Sequence, residues 1–323
     1  MVDAEEPLSR TEQVLWTTCT VTLYDHTDPR TLDAVFARLH ELHDHLSVNI
    51  PGSELDAVSD AAGTSAVRVS DDVFYVIGKS LELSALSDGL FDPTVGPLMK
   101  VWRMNSENAQ VPDAGRIAAA KALVSWRDVV MDPAARTIYL RRAGMRLDAG
   151  GLLKGYAADE TVRILSSRGV TSAIVDLGGD IFAMGRKPGK ASWQIGIQNP
   201  DDERGASIGV ASVVNRSVVT SGVYEHFFIQ NGKRYHHIMD VRTGYPVDNG
   251  LAAVTVIAEK SIDADGVALS IFCLGPADGL ALAKKLKVDA IIVTADHKLY
   301  FSEGAKESFT VTDPGFAAAP PLP

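Results

Sequence analysis

The stretch WQIGIQNPDDERGASIGVASVVNRSVVTSGVYEHFFIQ, residues 193–230, decides the fold class. Trp193 to Gln198 alternates apolar and polar residues with period two, the mark of a half-buried strand. Ala206 to Val214, Ser217 to Ser221 and His226 to Gln230 follow as strands joined by short turns. A meander this tight argues for antiparallel pairing and against a doubly wound parallel sheet.

Upstream, Thr17 to Tyr24 reads as a strand by the same alternation. Thr31 to Ser47 is a helix with Leu32, Val35, Phe36, Leu39, Leu42 and Leu46 on one face. Val73 to Ser87 is a second helix, ended near Gly89, and Ala114 to Val124 a third. Phe91 to Trp102, with two prolines and a glycine, reads as a loop that regains order near its end. Val129 to Leu140 and Met145 to Leu147 read as a hairpin around Arg141–Gly144. Gly155 to Ser167 is helical and Ser172 to Val175 a buried strand. Downstream come a strand at Leu251–Ala258, helices at Ser261–Leu274 and Ala277–Leu286, and strands at Ala290–Thr294 and Lys298–Ser302. The expected fold is α+β: mixed, largely antiparallel sheets with packed helices, one unit of two interleaved lobes over residues 15–308. Residues 1–14 are expected to be a tail, and residues 309–323, ending AAAPPLP, a disordered one.

The 323 residues carry a net charge of −10, a field that repels nucleic acid and anionic lipid. No nucleic-acid partner is expected, and no apolar run is long enough to span a bilayer. An anionic ligand would need a local device. Cys19 and Cys273, the only cysteines, read as buried inert thiols. His40, His43 and His45 share one helix, but His45 lies well round from His43, so they read as solvated or half-buried rather than as a metal cluster. Met1 to Arg10 lack the basic-then-apolar pattern of a secretory signal.

Four segments concentrate chemistry. In LDAGGLLKGY, residues 147–156, an aspartate is followed by a glycine pair, then Lys154 and a helix. Paired glycines allow positive φ and close backbone approach to a ligand, and a helix start offers free N–H groups to phosphate. An ordinary strand-to-helix turn explains the same letters, and the P-loop spacing is absent. DLGGD at Asp176–Asp180 repeats the glycine pair after a strand. HIMDVRTGY at His237–Tyr245 crowds polar groups between strands, which is costly unless they are paired or used. Asp263 and Asp265 stand at a helix start, suited to capping or to holding a hard cation.

LDAGGLLKGYAADE, DLGGDIFAMG, SVVTSG, HHIMDVRTGYPV and DADGVALSIFCLG occur in the order found in ApbE-type FAD:protein FMN transferases. LELSALSDGLFDPTVGPLMKVW is similar to that family's N-terminal half, so the resemblance covers about Leu15 to Phe301. It implies an ApbE-like fold and Mg²⁺-dependent cleavage of FAD. AMP would be released and FMN passed to a Thr or Ser hydroxyl of a target flavoprotein. It also implies a periplasmic protein anchored as a lipoprotein.

Carried over by motif, Asp265 matches the metal carboxylate and Gly151 a metal ligand. Asp148 and Lys154 match FAD-contacting positions. Leu90, Phe91 and Asp92 match the loop along the flavin nucleotide, Ile238 and Met239 the segment lining the cofactor, and Leu15 an N-terminal contact. His237 matches a histidine suited to accept the proton of the attacking hydroxyl. Two positions depart from the family. Leu269 stands four residues after the metal aspartate, where Thr is common, and removes a side-chain oxygen. Asn49 stands where a Tyr is frequent and removes a ring that would stack on the cofactor. The looser grip implied by Asn49 favours hydrolysis of FAD to FMN and AMP, with water as nucleophile. A non-enzymatic FAD carrier is the alternative. A generic nucleotide hydrolase ranks behind it, and a hydride-transfer enzyme lacks its G-x-G-x-x-G signature.

Overall fold

In the run Thr17–Leu23, Cys19, Val21 and Leu23 point to the core while Thr18, Thr20 and Thr22 face outward. The computed structural model describes residues 6–320 apart from 105, 107, 203 and 204. Residues 1–5 and 321–323 of the two expected tails lie outside the described residues. Among the described residues, nine strands form the main sheet. Their spatial order is their chain order: Leu8–Val14, Thr17–Leu23, Ala173–Leu177, Asp180–Met184, Arg216–Gly222, Leu251–Ala258, Asp289–Thr294, Lys298–Phe301 and Ala317–Ala318. Neighbours are antiparallel except the last pair. The architecture is α+β with largely antiparallel sheets, as the sequence indicates.

One face of this sheet is covered by the helices Arg30–Leu46, Asp71–Leu86, Gly150–Ser167 and Ser261–Leu274. Phe36, Leu39, Leu152 and Ile271 from these helices join Val175, Val219, Val254 and Val256 of the sheet in one continuous core. The other face is covered by a three-stranded sheet of Phe309–Val311, Ser207–Val213 and Trp193–Gln198, whose apolar side chains meet Ala253, Ile257, Ile291 and Val293. The strand Leu251–Ala258 is buried at every position because both of its faces are covered.

Several expectations are corrected. Residues 8–14 are no tail but an edge strand: Ser9, Thr11 and Gln13 hydrogen-bond Thr22, Thr20 and Thr18 across the ladder. Residues 309–320 are ordered as well, through Phe309–Val311 and Ala317–Ala318, with Phe309 and Phe316 buried. The expected loop after Phe91 contains a helix, Gly96–Trp102, because Pro97 sits in its first turn, where a missing N–H costs nothing. Trp102 Nε1 then donates to Gly244 O at 2.8 Å. The hairpin pairs Val129–Asp132 with Thr137–Leu140, so its turn lies before Thr137 rather than at Arg141–Gly144. The third helix facing the sheet begins at Gly150, five residues earlier than expected. Among the described residues no helix is long and apolar enough to cross a membrane.

Candidate active site

The helices Gly150–Ser167 and Ser261–Leu274 cross at Gly155, where a Cβ would lie 2.5 Å from the Ser261 carbonyl oxygen. That close approach lets the Gly155 N–H donate to Asp265 Oδ2 at 3.1 Å. Asp159, one turn further on, accepts from Ser261 and Ile262 N–H at 2.7 and 3.1 Å and so caps the second helix from the first. Capping therefore falls to Asp159, while Asp263 pairs with Lys79 at 2.8 Å. Asp265 is left buried at 4% exposure.

Lys154, one residue before the crossing, donates from Nζ to Asp180 Oδ1 at 2.7 Å. Asp180 closes the D-L-G-G-D turn and is 1% exposed, and its Oδ2 has no hydrogen-bond partner. Burial raises the Asp265 carboxyl well above the usual range, and the Asp180 charge raises it further against the pull of Lys154. Burial raises Asp180 too, while Lys154 opposes. For Lys154 burial works downward, but Asp180 and Asp265 outweigh it and the ammonium stays charged. Two carboxyl groups thus share one cation, and one carboxyl oxygen is orphaned.

Gly151 lies beside this cluster. A Cβ on it would meet Leu269 Cδ1 at 2.5 Å and Phe91 Cε2 at 3.2 Å, so three positions singled out in the sequence converge here. Asp148 is pinned by its own N–H to Pro93 O at 2.7 Å, and its Oδ1 accepts from Gly150 N–H at 2.8 Å. Burial raises its carboxyl. Asp92 has both oxygens engaged: Oδ1 by Thr94 N–H and hydroxyl, Oδ2 by Trp126 N–H. It holds the Leu90–Asp92 loop in shape.

His236 is fixed by Nε2 to Val247 O at 2.9 Å and by Ile238 N–H to its Nδ1 at 3.3 Å. The neighbouring His237 stacks edge-on against His226 at 5.3 Å, and its buried Nδ1 has no hydrogen-bond partner. Burial pushes its pKa down to about 3, with His226 and His236 adding to the shift and Lys154 close enough to contribute. It is therefore neutral at neutral pH, although a hydrogen bond to the His226 backbone pulls the other way. Ile238 is buried in the main core, whereas Met239 packs with Leu98 and Trp102 in a separate small cluster.

Leu15 and Asn49 lie close to each other, at the end of the sheet where the Gly178–Gly179 turn meets Thr17 and Thr18. Leu15 and Trp16 form the turn before Thr17, and Ser47 Oγ accepts both from Trp16 Nε1 at 2.9 Å and from Asn49 N–H at 3.2 Å. Sequence reasoning missed Asp180 and Trp16. The acidic residue closing the glycine turn was the only visible signal for the first, and nothing in the local sequence pointed to the second.

Two buried carboxyl groups with an orphaned oxygen suit a hard divalent cation. Mg²⁺ is held by one or two carboxylates, with phosphate and water completing its shell. The donor set fits: Asp265 and Asp180 would supply oxygens, with the backbone at Gly151 alongside, while Leu269 offers none. Among the described residues no group of three or more His, Cys, Asp or Glu side chains forms a denser metal cluster.

This arrangement can be set beside known proteins. A FAD:protein FMN transferase of Klebsiella pneumoniae is 37% identical over 295 residues, 91% of this chain and 91% of its own length. One of Treponema pallidum is 35% identical, covering 95% of this chain and 90% of its own. The crystal structure of the ApbE protein from Thermotoga maritima superposes with a TM-score of 0.86 at 28% identity, over 94% of this chain and 99% of that one. Residues 15–292 match the ApbE family over most of the sequence, and the chain belongs to that family.

Proposed function

We propose that this protein cleaves the pyrophosphate of FAD, releases AMP and transfers FMN to a Thr or Ser hydroxyl of a target flavoprotein. Water substitutes for that hydroxyl in a hydrolytic branch that yields free FMN. The observation that carries the reading is the buried Lys154–Asp180–Asp265 cluster with its orphaned carboxyl oxygen, on a protein of net charge −10. Such a protein needs a local cationic device to hold a pyrophosphate. The names of the relatives support the transfer of FMN from FAD to a protein.

Mg²⁺ held by Asp265 and Asp180, with the backbone at Gly151 beside them, would neutralise charge on the phosphate oxygens. Lys154 adds a fixed positive charge toward the same anion. In the transfer step the hydroxyl oxygen bonds to the FMN phosphorus, the bridging P–O bond breaks, and AMP departs. His237, kept neutral by burial, would take the hydroxyl proton at a ring nitrogen, acting as a weak base at so low a pKa. The exposed Asn49, with no ring to clamp the cofactor, favours turnover by water.

The test incubates the protein with FAD and Mg²⁺, with EDTA as control, and separates FAD, FMN and AMP by chromatography. A parallel tube adds an acceptor flavoprotein. AMP that appears only with Mg²⁺ supports the reading, as free FMN in one tube and labelled acceptor in the other. FAD bound without AMP in either tube refutes it in favour of a carrier.

A further inference from the structure

The turn that joins the first two strands of the main sheet is built from the wrong residues. Leu15 and Trp16 both have positive φ, 56° and 60°. Two-residue turns of this kind favour Asn-Gly, because a side chain at positive φ is strained. Leu15 has an evident return, since its side chain is 5% exposed within the main core. Trp16 has none: at 63% exposure it is among the largest open apolar surfaces of the described residues. Strain retained without a packing gain points to function.

The indole is nevertheless held still. Its Nε1 donates to Ser47 Oγ at 2.9 Å, and His43 lies at 5.4 Å with a tilt of 51°. Ser47 Oγ also accepts from the N–H of Asn49, so one hydroxyl ties Trp16 to the position where a stacking ring is absent. The turn borders the carboxyl cluster. Gly178 N–H donates to Thr18 O at 3.0 Å, and a Cβ on Gly178 would lie 2.1 Å from Thr17 Oγ1. Two residues beyond Gly178, Asp180 reaches Lys154.

We infer that Trp16 is a cofactor-binding residue, an indole platform anchored on Ser47 on which a planar heteroaromatic ring of the dinucleotide stacks, in place of the ring that Asn49 does not supply. The inference rests on the FAD-processing reading and adds a contact to it. Both rings of FAD have the required flat π-face, and separate ligands tell them apart.

The experiment measures binding of FAD, AMP and FMN to the wild type and to Trp16→Gly by calorimetry. Glycine takes a φ of +60° without strain, so the turn and the fold are kept. Base–aromatic stacking predicts FAD binding roughly 5- to 150-fold weaker in the variant. Loss in the AMP arm assigns the platform to adenine, and loss in the FMN arm to the isoalloxazine. Adding Asn49→Tyr to Trp16→Gly should restore most of the affinity. Trp16→Gly that binds FAD within twofold of wild type overturns the inference while leaving FAD processing intact. A wild type that binds no FAD overturns the functional reading itself.

Discussion

Replacing Lys154 by Met tests the central cluster most directly. The substitution keeps the aliphatic length and removes the one ammonium bonded to Asp180 at 2.7 Å. Asp180 and Asp265 would then face each other at 1% and 4% exposure with no cation between them. Removing one partner of a buried pair costs about 3–5 kcal/mol. The Lys154 side chain is 29% exposed, which puts the loss at the low end, about 3 kcal/mol. Unfolding entropy of about 2.1 cal/mol/K per residue over 323 residues is about 0.7 kcal/mol/K, so Tm should fall by about 4 °C. The pH dependence gives a second check. Both carboxyl groups already bind protons more readily folded than unfolded, and losing Lys154 strengthens that bias. The native state then sheds stability as pH rises through their titration, so the deficit should be larger at pH 8 than at pH 5. Scanning calorimetry in EDTA at both values reads the effect. An unchanged Tm, or a loss equal at both pH values, would refute the account of the cluster as two carboxyls sharing one cation.

Two further outcomes are expected. His237 stays neutral in the folded chain down to about pH 3, whereas an unfolded histidine takes its proton near pH 6.5. Its contribution is therefore intact above pH 6.5 and is lost as pH falls toward 3, at up to about 1.4 kcal/mol per pH unit. Urea melts of His237→Gln should show a flatter pH profile in that window, and a profile parallel to wild type would count against the assignment. Leu269→Thr places a hydroxyl beside Gly151, where Leu269 now packs. Mg²⁺ binding should tighten by about tenfold, in line with the effect of single groups around metal sites. Isothermal titration showing no change would separate Leu269 from the metal.

The parts of this fold that were legible in the sequence carry their information locally. The helix Ser261–Leu274 is an apolar run, and the strands from Trp193 onward alternate cleanly. The first strand was hidden because its outward half is Ser9, Thr11 and Gln13, polar residues whose partners are polar residues of the next strand. The Gly96–Trp102 helix was hidden because Gly and Pro usually break helices, although proline fits the first turn. At the site, Asp148, Gly151 and Lys154 stood out through the glycines around them. The glycine turn that Asp180 closes stood out too, but the role of Asp180 did not, since its weight comes from Lys154, 26 residues earlier, and from burial that only the assembled sheet provides. Trp16 did not either, because a positive φ leaves no trace in the letters.

The sheet that places these residues also sets a schedule. Leu23 pairs with Ala173, 150 positions later, so the second strand has its first neighbour at once and its second only after half the protein has been made. At about 5–20 residues per second the ribosome takes about 8–30 s to supply it. During that interval the hairpin of the first two strands offers an open edge, the backbone groups of Cys19–Leu23 that later pair with Ala173–Leu177. The nascent chain is therefore most vulnerable to aggregation before residue 177 emerges. A chaperone that shields this one hairpin should raise the yield of folded protein more than one acting after release.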